Sequence, residues 1–165
     1  MSLQSSLRLH VEFGQEKLDF EGNPDEVFKA FMDFLNKIYP TLELARQLTF
    51  MPDLRRLAES LIGIIEIGTE GPILVSGREL PADETILLVL LGSYIGNRLA
   101  KLQRTSLSPN ELSKATGKAY KTVMNQVPKL LDEGLAEKVD KEYRISDFGI
   151  IRAQNIVTKY KASKT

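Results

Sequence analysis

Between Lys118 and Val127 the chain carries Lys118, Tyr120, Lys121, Thr122, Met124 and Asn125 and no acidic residue. These side chains suit recognition of a polyanion. Lysine ammonium groups neutralise phosphates, an asparagine amide pairs with adenine, and Tyr and Met offer apolar surface to thymine methyls. At helical spacing Val123, Val127, Leu130 and Leu131 form the opposite stripe, so one side is core and the other faces solvent. A helix built only for solvent usually mixes both signs of charge on its outer face. No arginine stands on this helix, so affinity is expected to rest on phosphates, with modest sequence preference.

Bond-making chemistry has few candidates. The one histidine, His10, lies on the polar side of an alternating stretch and reads as a solvated side chain. The absence of cysteine excludes disulfides, thiol catalysis and cysteine metal sites, and fits an intracellular, cytoplasmic setting. Carboxylates are plentiful, yet none shows metal-ligand spacing, and no phosphate-cradling glycine loop occurs. Asp25-Glu26 and Asp83-Glu84 read as charges at helix starts. The expectation is a protein that is not an enzyme and uses no cofactor or metal.

The elements that must position the 118–127 face read clearly. Ser108-Pro109-Asn110-Glu111 has the cap, first-turn proline and third-position acid of a helix start. That helix is short, points Leu112 and Ala115 inward, and stops at Thr116-Gly117. The next runs from about Lys118 to Glu133, with Gly134 as its stop. Leu135–Val139 and Tyr143–Ile145 then form a hairpin with Asp140-Lys141-Glu142 at its tip, where Lys141 and Arg144 can reach a nucleic-acid backbone. Helix, turn, helix, hairpin is the order of a winged helix-turn-helix. Ser146-Asp147 starts a last helix, Phe148 to about Lys161, whose Ile150, Ile151, Ile156 and Val157 can pack, with a basic end at Lys159, Lys161 and Lys164.

These residues resemble the winged-helix domain of prokaryotic regulators of the MarR and TrmB kind, especially archaeal ones. The turn glycine, the Thr-Val opening and the "L…EGL" ending are matched by Gly117, Thr122-Val123, and Leu130/Leu131 with Glu133-Gly134-Leu135, followed by the hairpin from Glu137 to Ile145. The resemblance covers roughly residues 84–150. It implies duplex DNA as partner, with Lys118, Ala119, Tyr120, Lys121, Met124 and Asn125 at the base-reading positions. Two departures stand out. Pro128 interrupts the second helix's bonding and should bend it. The wing is electrically neutral, with three bases and three acids between Glu137 and Arg144.

Charge supports an anionic partner for this half. The chain is neutral overall, but residues 1–97 hold 8 Lys and Arg against 15 Asp and Glu, while residues 98–165 hold 14 against 7. An acidic body joined to a basic module is expected.

Upstream, Leu7–Phe13 and Lys17–Glu21 alternate around a Gly14 turn and predict a hairpin. Asn23-Pro24-Asp25-Glu26 starts a helix presenting Val27, Phe31, Phe34, Leu35 and Ile38 on one face, widened by Phe28 and closed by Pro40. Thr41 opens a short helix through Leu48, and Pro52-Asp53 another to about Ile62. Residues 63–67 and 72–75 flank Gly68–Gly71 as a second hairpin, with helix continuing through Ile67 as the competing reading. Aromatics near Phe31, Phe34 and Tyr39 read as core rather than as a ligand pocket. A loop at residues 77–81 marks the expected boundary between an acidic α+β domain, 1–80, and the winged helix, 81–165.

The second domain begins with a helix from about Ala82 to Gln103, apolar on every side from Ile86 to Leu91 and basic at Arg98, Lys101 and Arg104. Its Ile86–Gly96 segment reads either as internal packing or as the seam of a homodimer. The longest apolar run falls well short of the ~20 residues a membrane helix needs, and no secretory signal heads the chain, so a soluble protein is expected. The function that follows is duplex DNA binding, as a transcriptional regulator or a nucleoid-associated protein. A winged helix that docks a protein partner is the alternative, and the N-terminal domain could engage such a partner.

Overall fold

The computed structural model describes residues 6–39 and 41–163, in which short antiparallel hairpins and helices make a mixed α+β protein. It divides into two compact units, residues 1–51 and 52–165.

The first unit pairs β1 (Leu7–Phe13) with β2 (Glu16–Gly22) in register from Leu7↔Gly22 to Phe13↔Glu16. Gly14, at φ +61°, supplies the left-handed residue that a two-residue turn requires. Opposite charges face one another across the strands: Arg8–Glu21 at 2.6 Å, His10–Asp19 at 2.8 Å and Lys17–Glu12 at 3.0 Å. Helix α1 (Pro24–Ile38) starts at Asn23, whose side chain accepts from the Glu26 N–H while Glu26 reaches back to the Asn23 N–H. Pro40, expected to close this helix, lies outside the described residues. Phe20 meets Phe31 and Phe34 with ring centroids 6.1 Å apart, so these half-buried aromatics pack on one another, whereas Tyr39, expected with them in the core, is 52% exposed. Phe28, expected to widen the buried face, is 60% exposed. Helix α2 (Leu42–Leu48) follows.

His10 donates to Asp19, and this bond, with a weaker one to Glu12, raises the imidazole pKa above its usual value. Protonated His10 therefore supports the hairpin at low pH, and the support is lost as pH rises through that raised value. Because the chain holds one histidine, its ring NMR signals report this directly. The titration midpoint is expected above the ordinary ~6.5, and Asp19→Asn should return it toward that figure.

The second unit is organised by α4 (Ala82–Arg98), whose residues from Thr85 to Leu91 are all buried within the chain. A helix apolar on every side needs cover on every side. It is supplied by α3 (Leu54–Leu61), β3 (Ile65–Ile67), β4 (Pro72–Leu74), α5 (Pro109–Thr116), α6 (Tyr120–Asp132), β6 (Glu142–Ile145) and α7 (Asp147–Ala162). The β3–β4 hairpin forms as expected, with Ile65 opposite Leu74.

That packing moves the boundary. α3, β3 and β4 fall on the C-terminal side of the division, at residue 51/52 rather than near residue 80, because they cover α4. It also overturns the homodimer seam at Ile86–Gly96. Ile65 and Pro72 lie against Gly92, and Leu102 and Ile67 against Gly96, so that surface is already occupied. The helix ends at Arg98, short of Gln103. The amides of Lys101 and Leu102 both turn back to the Gly96 carbonyl, and the Asn97 amide donates to the Leu102 carbonyl at 3.0 Å. No helix among the described residues is long and apolar enough to cross a membrane.

Candidate nucleic-acid interface

Helix α5 begins with the reciprocal cap expected from its sequence: the Glu111 N–H donates to Ser108 Oγ, and the Ser108 N–H to Glu111 Oε2 at 2.8 Å. Gly117 ends it in the left-handed conformation, φ +67°. The turn into α6 is tied from both sides. Ser113 Oγ donates to the Lys118 carbonyl at 2.7 Å, and the Lys118 N–H donates to Thr116 Oγ1, which itself donates to Leu112 O. Lys118 is thus held by two hydroxyls that the sequence reading did not single out. Only the folded turn shows which hydroxyls reach it.

On α6, Val123, Val127 and Leu130 are buried, whereas Tyr120 is 49% exposed and Lys121 and Asn125 are exposed. Lys118, Thr122 and Met124 are half-buried at the flank of that face. The helix is continuous from Tyr120 to Asp132 through Pro128, which lies on the exposed side next to Lys129. Ala119 precedes its first turn and makes no side-chain cap, so the leading N–H groups are left uncapped by the residue before them. Such N–H groups suit a phosphate oxygen. No ion pair among the described residues involves Lys118 or Lys121, while Lys129, one turn beyond Asn125, is bonded to Asp83 at 3.1 Å.

The hairpin of β5 (Ala136–Val139) and β6 turns at Asp140-Lys141, with Asp140 at φ +55°. Its register, Ala136↔Ile145 to Val139↔Glu142, puts Tyr143 and Ile145 inward. Leu107 pairs with the other edge of β6 at Tyr143, so the chain between α4 and α5 adds a third, one-residue strand.

Two expectations for this hairpin are corrected. Glu142, expected at the tip, lies in the strand, where Arg104 pairs with it and with Glu111, and Ser106 Oγ donates to it at 2.5 Å. Those bonds, Ser106 first, hold the Glu142 carboxyl below the usual carboxylate range. Arg104 is therefore a brace between α5 and the hairpin, not part of a basic helix end. Arg144 is paired with Glu137 at 2.7 Å and lines a cleft of about 360 Å³ with Tyr94, Asn97 and Arg98, to which α6 contributes nothing. With Glu137 and Glu142 engaged internally, the charges of the hairpin left without an ion pair among the described residues are Lys138, Asp140 and Lys141. The neutral count of the sequence thus becomes a small cationic excess at the turn.

Helix α7 is capped by Ser146, which accepts from the Gly149 N–H at 2.9 Å and donates to the Gly134 carbonyl at 2.6 Å. Ile150, Ile156 and Val157 are buried as expected, but Ile151 is 43% exposed. Lys164, part of the expected basic tail, lies outside the described residues. Comparison of the chain with known protein families, curated proteins and solved structures found no match.

Proposed function

We propose that residues 82–162 form a winged helix-turn-helix that binds duplex DNA, with α6 as the helix that enters the major groove. The observation that carries this reading is the acid-free stretch from Lys118 to Val127, where Lys118 leads into α6 and Tyr120, Lys121 and Asn125 stand exposed on it, with no ion pair to Lys118 or Lys121 among the described residues. The α5–Gly117–α6 turn, the Leu107–β6 pairing and the β5–β6 hairpin supply the remaining parts of such a unit. Lys118, Lys121 and Lys141 would hold phosphates, and Tyr120, Met124 and Asn125 would face base edges, with Thr122 at the first turn. Arg144 would reach DNA only by leaving Glu137. A cytoplasmic regulator of transcription or a nucleoid-associated protein would use this unit in the same way.

The test is fluorescence-anisotropy binding of mixed-sequence duplex across a salt series. Three phosphate-bound lysines should give a log–log slope of roughly −2.7, about −0.9 for each phosphate neutralised. A second reading, docking of a protein on the same face, rests on the exposed Tyr120 ring beside Met124. It predicts no DNA binding at low salt by the folded protein, and that result would replace the first reading.

A further inference from the structure

The first unit has a thin core. Among its described residues Val27 alone is fully buried, while Leu48 and Met51 are 87% and 71% exposed. Units of about this size usually need disulfides, a metal or association for stability. The chain has no cysteine, and no cluster of metal-ligating side chains occurs among the described residues. Its two-stranded sheet also pairs with no further strand among them.

The register shows what β1 offers at its outer edge. The turn closes on Phe13↔Glu16, which two intervening residues make a hydrogen-bonded pair, and bonded pairs alternate along an antiparallel ladder. Leu9 and Val11 therefore bond to β2, whereas Arg8, His10 and Glu12 direct their N–H and C=O groups outward. Those three positions read cation, imidazole, anion.

We infer that β1 is a self-complementary edge that pairs antiparallel with β1 of a second copy of this chain, about a two-fold axis at His10. In that register Arg8 of each copy lies opposite Glu12 of the other, and Leu9 opposite Val11. The outward groups of Arg8, His10 and Glu12 are all satisfied, and an isologous contact closes at two copies. Each Arg8 then lies between Glu21 of its own hairpin and Glu12 of the second copy, extending the alternating charges across four strands. Among the other axes on β1, one at Arg8 or Glu12 sets like charges opposite each other, one at Leu9 sets Arg8 opposite His10, and one at Val11 sets His10 opposite Glu12 but leaves Arg8 opposite Gly14. Only the axis at His10 sets both Arg8 side chains opposite Glu12, and on β2 an axis at Asp19 brings two carboxylates together. This inference is independent of DNA binding.

Sedimentation equilibrium of the full chain, without DNA, tests it. The wild type should associate to twice 18.5 kDa. Arg8→Glu places acid opposite acid, and Glu12→Arg places base opposite base. Each should weaken self-association roughly tenfold or more, since two symmetry-related pairs change from attraction to repulsion. An equimolar mixture of the two variants restores opposite charges at both positions, so it should form a heterodimer near wild-type affinity. That recovery also shows that both variants fold. A monomeric wild type, unchanged association of either variant, or a mixture no tighter than its components would overturn the assignment.

Discussion

Lys121→Glu is expected to weaken duplex DNA binding roughly a hundredfold while leaving thermal unfolding unchanged. A charged hydrogen bond to phosphate contributes about 1.5–3 kcal/mol, and reversal adds repulsion to its loss. The side chain is exposed on the first turn of α6 and forms no ion pair among the described residues, so its replacement strips nothing from the fold. Arg104→Glu is not an equivalent control, because Arg104 braces Glu111 and Glu142. Lys159→Glu is a better one: it reverses an exposed charge on α7 that lines a cleft with Arg78, Glu79 and Glu84, to which α6 contributes nothing, and it should alter affinity far less. Equal losses from both variants would mean that overall charge, not the α6 face, governs binding.

Gly149→Ala is expected to destabilise the second unit by about 3 kcal/mol or more, lowering Tm by roughly 10–20 °C. A Cβ at Gly149 would strike the Leu135 carbonyl oxygen and lie 2.7 Å from Ile145 Cγ1. Leu135 leads into β5 and Ile145 ends β6, so the methyl must push α7 off the β5–β6 hairpin or force the strands apart. Gly77→Ala is the matched control. It meets nothing within 4 Å and should remain within about 0.5 kcal/mol of wild type. Circular-dichroism melts of the two variants measure the difference. A Gly149→Ala protein as stable as the control would show that α7 does not dock on the hairpin at this glycine.

Most local features were legible in the sequence because short-range rules govern them. Asn23 and Ser108 with an acid three residues on became reciprocal caps, Gly117 and Gly134 became left-handed stops, and alternation in residues 7–13 became a strand. The outer face of α6 was legible for the same reason, since helical spacing alone separates Val123 and Val127 from Lys121 and Asn125. Ionic partners were less accessible. Arg104 and Glu142 are 38 residues apart, and nothing in their spacing indicates that the chain before α5 runs beside β6.

By itself the sequence determined the capped helix starts at Asn23, Ser108 and Ser146, the glycine stops at Gly117 and Gly134, and that the stretch from Lys118 to Val127 would be cationic and free of acid. These depend on spacing within a few residues. Only the tertiary structure decided that α3 and the β3–β4 hairpin belong with the C-terminal unit, that α4 is sealed inside one chain, and that Arg144 and Glu142 are already engaged. The pattern from Ile86 to Leu91 demands burial without specifying what does the burying, because hydrophobic contact is non-directional and any apolar surface satisfies it. The glycines at 92 and 96 permit close approach, but it is Ile65, Pro72 and Leu102 of the same chain that make it.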